Sequence, residues 1–184
     1  MDRLSPTARS DQYGSRINRE QSPWRAVSVP YITIMVGSLL PFLALADVIP
    51  VLPPLGFLLL LGWRIMRPGL LPLWAGVPLG AFDDLFSGQP FGSAILLWSL
   101  AMITLELIEA RFPWRGFSQD WFTAGLGASA YIFVAMVVSG AQLTAAMMLA
   151  LIPQVLLAIL LYPLIAQIVA VFDRFRLSRA RRVS

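Results

Sequence analysis

The sequence predicts an all-α integral membrane protein of about six transmembrane helices with both termini cytoplasmic, and three observations predict it. Hydrophobic residues make up 58% and charged residues only 13% of the 184 positions. A soluble domain carries about 25% charged residues and could not cover its surface with so few. The apolar residues fall into unbroken runs such as FLLLLGW and LLAILLYPLI. These lack the alternation of a β-barrel, and lipid, which offers no hydrogen bonds, requires such runs to be helices. All 14 basic residues are arginine, standing in four clusters that six crossings place on one side.

Residues 1–25 are polar, with five arginines, and bury too little apolar surface to fold alone; they read as a flexible basic cytoplasmic tail. Residues 26–172 form the transmembrane domain, and residues 173–184 are a second basic tail. The first apolar segment, Val27–Ala46, at about 1.5 Å per residue matches a ~30 Å hydrocarbon core. The second, Val51–Met66, opens with Pro53-Pro54. Pro68–Phe86 is the third, Phe91–Leu107 the fourth and Trp121–Val138 the fifth. The sixth falls within Leu143–Phe172, long enough to cross with tilt. Prolines 41, 72, 78, 153 and 163 predict kinks. Ala44-Leu45-Ala46 resembles a signal-peptidase site, but the long polar lead and an apolar stretch exceeding the usual ~7–15 residues predict that it stays uncleaved.

Orientation follows from the arginines. With the N-terminal tail inside, Arg64 and Arg67, Arg111 and Arg115, and the C-terminal arginines all fall on the cytoplasmic side, as the positive-inside rule expects. They adjoin spans and have few aromatics beside them. That suits the anionic inner leaflet, at about 1 kcal/mol per arginine, and not nucleic acid.

The chain has no cysteine and no histidine, which removes disulfides, thiolate metal sites and the commonest general base. No Gly-x-Ser-x-Gly elbow or P-loop is present, so neither a catalytic centre nor a cofactor is expected. Carboxylates within membrane segments cost about 2.5–3.5 kcal/mol each, which singles out Asp83 and Asp84. Asp83 is expected at the outer interface, meeting water or capping the next helix. Gly76, Gly80 and Asp84 recur at i, i+4 and i+8, along one helical stripe. Two glycines so spaced let another backbone approach, and Asp84 on that stripe faces protein, either as a buried hydrogen-bonded acid or as a partner contact. Glu106 and Glu109 share a face near Arg111 and Arg115 and read as an interfacial charge cluster. Asp47 and Asp120 are expected near loops. Trp24, Trp63, Trp114 and Trp121 are expected in an interfacial belt, and Trp74 and Trp98 in packing or lipid contact.

The stretch Gly76-x-x-x-Gly80-x-x-x-Asp84-Leu85-Phe86-Ser87-Gly88-x-x-x-Gly92, with PPLGFLLLLGW upstream, resembles the MreD family of rod shape-determining proteins. Length, span number and a polar N-terminal tail agree in outline, while residue-level likeness is confined to Pro53–Gly92. Asp83, Pro78 and the long tail depart from the pattern. The resemblance implies a non-catalytic inner-membrane scaffold of the cell-elongation complex, acting in peptidoglycan synthesis. It would bind MreC, RodA and the elongation transpeptidase, and indirectly MreB, by docking through the face of Gly76, Gly80, Asp84, Gly88 and Gly92. The competing expectation is the substrate-binding membrane subunit of an energy-coupling-factor type transporter, which needs a polar cavity open to the outside.

Overall fold

A computed structural model describes residues 23–41, 52–112, 116–140 and 144–177. The tail 1–22, the Ala44-Leu45-Ala46 sequence, Asp47, Trp114 and Arg115 lie outside them. Among the described residues there is no strand, and six α-helices follow in order: α1 (Pro23–Leu40), α2 (Leu55–Met66), α3 (Gly76–Asp84), α4 (Ser93–Arg111), α5 (Phe117–Val138) and α6 (Ala145–Leu177). Three segments, Ser93–Arg111, Phe117–Val138 and Met147–Leu177, are long and apolar enough to cross a membrane. Large apolar side chains stand exposed along them, Phe122 at 73% and Leu160 at 67%, as helices solvated by lipid allow.

α2 is the hub. It is apolar all round and buried from Gly56 to Ile65, as expected of a helix enclosed by others, and it packs against α1, α4, α5 and α6. Its 12 residues rise only about 18 Å. The diproline removes two N–H donors, so the helix starts at Leu55, where Leu58 N donates to Pro54 O at 3.0 Å. The extended residues 52–54 complete the depth. Leu52 O accepts from Gln154 Nε2 at 3.1 Å, and Arg67 pairs with Asp173. The second segment therefore matches a stretch of α6 from 154 to 173, about 28 Å.

The third apolar segment differs from expectation. It is not one span: a turn at 67–72 with Gly69 at φ 79° and a 3-10 turn at Leu73–Ala75 precede the nine-residue α3. Pro68 and Pro72 cannot donate backbone hydrogen bonds, which prevents a helix through this stretch. At about 13 Å, α3 reaches only part way through a bilayer. Irregular backbone at such depth must be covered by protein, and Leu71 is buried in the core. Pro78 does not interrupt the glycine stripe, because it lies in the first turn of α3, where an N–H would have no helical partner anyway.

α6 also departs from the sequence boundaries, continuing past Phe172 to Leu177 through Pro153 and Pro163. Pro163 cannot donate to Ile159 O four residues back. The Trp121 indole of α5 donates to that carbonyl instead, at 2.9 Å. Trp63, expected in the belt, is fully buried and donates from Nε1 to Thr33 Oγ1 at 2.9 Å, while Trp98 is buried in the core and Trp74 is exposed.

Among the glycines of the described residues, the closest approach to a neighbouring backbone joins α3 to α4. A Cβ at Gly80 would stand 2.7 Å from Ala94 O and from Ile95 Cα, and one at Gly76 would stand 2.9 Å from Ser99 N. At Gly127 the nearest atom, Leu61 Cδ1, is at 3.6 Å. Gly80→Ala should therefore lower the melting temperature in detergent through overpacking of about 1–3 kcal/mol, whereas Gly127→Ala should melt like the parent chain. Equal melting of both variants would refute the backbone contact.

Candidate functional site

The α3–α4 hairpin presents the two adjacent carboxylates differently, and the difference defines the acidic end of the bundle. Asp84 is buried and caps α4. Its Oδ2 accepts from Gly92 N at 2.9 Å and Ile95 N at 3.2 Å. Its Oδ1 accepts from Ala94 N at 2.8 Å and from Ser93 Oγ at 3.2 Å. The first N–H groups of a helix have no partner within it, and a carboxylate there also meets the positive end of the helix dipole. Gly92, the residue before the first turn, holds φ at 98°, a conformation that glycine adopts without steric cost. The glycine stripe and Asp84 are thus occupied by α4 of the same chain. Of the two expectations for this stripe, the structure shows the packed, hydrogen-bonded acid, and α4 covers the face of Gly76, Gly80 and Asp84 through which a partner was to dock. Gly88 sits in the intervening turn at φ 67°.

Residues adjacent on a helix point about 100° apart, so Asp83 turns away from the cap. It lines a cavity of about 400 Å³ together with Ser38, Gln89, Tyr131 and Gln154. The Tyr131 ring stacks on Phe57, with centroids 4.1 Å apart. Of the two expectations for Asp83, the structure gives the cap to Asp84 and leaves Asp83 half-buried at the end of α3, on a recess among α1, α2, α5 and α6.

At the opposite end the expected cluster is rebuilt. Glu106 and Glu109 reach across to Arg64 of α2, which pairs with Glu106 and, at 2.9 Å, with Glu109. Arg64, expected at a solvated turn, is 1% exposed, because α2 is still helical there and α4 lies against it. Arg111 is exposed and forms no salt bridge among the described residues. A second network was hidden in the presumed C-terminal tail. Arg67 Nε donates to Asp173 Oδ2 at 2.8 Å, and Arg176 Nη2 to Asp173 Oδ1 at 2.8 Å. The Arg176 guanidinium also lies 6.0 Å over the Trp63 ring. Asp173 escaped the sequence reading because it adjoins an arginine-rich run, although its i, i+3 spacing to Arg176 was a usable signal. Asp120 lies half-buried in the first turn of α5.

A second recess, about 360 Å³, opens sideways among α2, α4 and α5. Phe57 and Leu61 back it, and the small residues Ala101, Gly127 and Ala130 leave the room. Among the described residues, no group of three or more Asp, Glu, His or Cys side chains could hold a metal ion. Compared with protein-family models, curated proteins and solved structures, the chain matches none.

Two substitutions test this geometry. Asp84→Leu strands several N–H groups of α4, each about 1–3 kcal/mol to leave unmade. It should lower the melting temperature and speed hydrogen exchange at residues 92–95; unchanged exchange there would refute the cap. Arg64→Met removes the buried cation that Glu106 and Glu109 share and should cost about 3–5 kcal/mol, as for breaking a buried pair. Glu106→Gln, at a side chain 53% exposed, should cost under about 1 kcal/mol. Denaturant unfolding of both variants in detergent would reverse the assignment if Glu106→Gln proved the worse.

Proposed function

We propose that this chain is a non-catalytic scaffold of the bacterial cell-elongation complex, of the MreD kind, seated in the inner membrane with its arginine-bearing end towards the cytosol. Six apolar segments cross, the third of them broken, and both tails are cytoplasmic. The alternation of the helices supports the orientation, since the buried ion pairs gather the C-terminal ends of α2, α4 and α6 at one end, where the positive-inside rule assigns arginine.

The observation that carries the reading is the lateral groove among α2, α4 and α5. Helices associate in lipid through close packing against small residues and not through expulsion of water. Ala101, Gly127 and Ala130 supply such a surface, facing sideways where the single span of MreC would lie. Gly80 and Asp84, covered by α4, are not offered to it. Through MreC the scaffold joins RodA and the elongation transpeptidase, and indirectly MreB, to lateral wall synthesis.

A second reading has one specific observation in its favour. The polar cavity at the acidic end is what the substrate-binding subunit of an energy-coupling-factor type transporter requires. Capture of MreC from detergent extracts separates the two. Ala130→Trp, which fills the groove, should reduce captured MreC at least tenfold while the chain inserts and melts as before. Leu160→Trp, on the exposed face of α6, should leave capture unchanged. Failure of the unaltered chain to retain MreC would refute the scaffold, and undiminished capture by Ala130→Trp would refute the groove.

A further inference from the structure

We infer that the cavity at the acidic end binds a small organic cation, an amine with a compact apolar body, through Asp83. The two neighbouring carboxylates are not equivalent. Asp84 is compensated by three amides and a hydroxyl of the α4 cap. Asp83 receives no backbone amide and no arginine among the described residues. Its polar neighbours are the Ser38 hydroxyl and Asp84 itself, and the second of these adds negative charge. A carboxylate in a recess between membrane helices is costly, and a bound cation offsets that cost where the Ser38 hydroxyl alone does not.

The surroundings specify the rest of the ligand. Ser38 is 8% exposed and its hydroxyl stands on the cavity wall beside Asp83, where it can donate to that carboxylate and still accept from a bound ligand. Gln154 gives its amide hydrogen to Leu52 O, which leaves its side-chain carbonyl as a further acceptor. Acceptors at Asp83, Ser38 and Gln154 suit the three donors of an ammonium group. Beside them, Tyr131 contributes an aromatic surface of the kind that attracts cations, and Ile132, Ala135 and Met136 are apolar. The volume, about 400 Å³, lies near the small end of known ligand sites. An anion would be repelled by Asp83, and a neutral apolar molecule would leave that carboxylate desolvated without a counter-charge. The inference is independent of the docking groove; under the transport reading it names the substrate class.

The full chain in neutral detergent, dialysed to equilibrium against benzylammonium or its neutral counterpart benzyl alcohol, tests the assignment. Benzylammonium should bind saturably at one site per chain, at least tenfold more tightly than benzyl alcohol. Asp83→Asn should abolish this binding, and Glu106→Gln, at the far end of the bundle, should leave it unchanged. Gln89→Lys, near the mouth, supplies a resident cation and should also abolish it without disturbing the melting temperature. Absence of saturable binding, equal binding of the alcohol, or binding retained in folded Asp83→Asn or Gln89→Lys would each overturn the assignment. None of these results bears on capture of MreC.

Discussion

The backbone contact between α3 and α4, made possible by Gly76 and Gly80 and locked by Asp84, is the constraint on which the rest of the structure depends. α3 is too short to be held by its own hydrogen bonds, since an isolated helix below about 12–15 residues is marginal. It persists because its glycine face lies on α4 and because its last residue supplies the partners that the first turn of α4 lacks. With Asp84 fixed in the cap, the helix geometry leaves one direction for Asp83, and that direction is the cavity. A single residue step, about 100° of helix, thus separates a structural acid from one that faces a recess.

The opposite end is held by a different kind of interaction. Arg64 of the hub helix and Arg67 just beyond its end each reach a different neighbour, α4 through Glu106 and Glu109 and α6 through Asp173. The two networks together place three arginines against three acids. An uncompensated charge away from water would be strongly unfavourable, so these pairs fix the mutual height of α2, α4 and α6 more than they add stability. The acidic end is left comparatively open, and the cavity lies there.

The lateral groove reflects a third constraint. α5 packs extensively on α6 and sparsely on α4, so a gap remains where small residues face one another. In a water-soluble protein such an apolar recess would be an aggregation liability. Lipid acyl chains would solvate it without that penalty. Two recesses, one polar at an end and one apolar at the side, give the chain two chemically distinct surfaces on one small bundle.

Much of this was legible in the sequence. Composition and unbroken apolar runs determined an all-helical fold with helices long and apolar enough to cross a membrane. The spacing of Gly76, Gly80 and Asp84 determined that one acid faces protein, because periodicity fixes which side chains share a stripe. What periodicity cannot fix is what that stripe meets: the tertiary structure decided that α4, and not another chain, lies against it. It decided also that Arg64 is buried, that Asp173 belongs to an ion-pair network, and that Ser38, Asp83, Tyr131 and Gln154 share a cavity. Those residues lie on four different helices, and only packing brings them together. The broken third segment was signalled by Pro68, Gly69 and Pro72. Its consequence, a half-length α3, depended on α4 and the core being there to cover backbone that lipid could not.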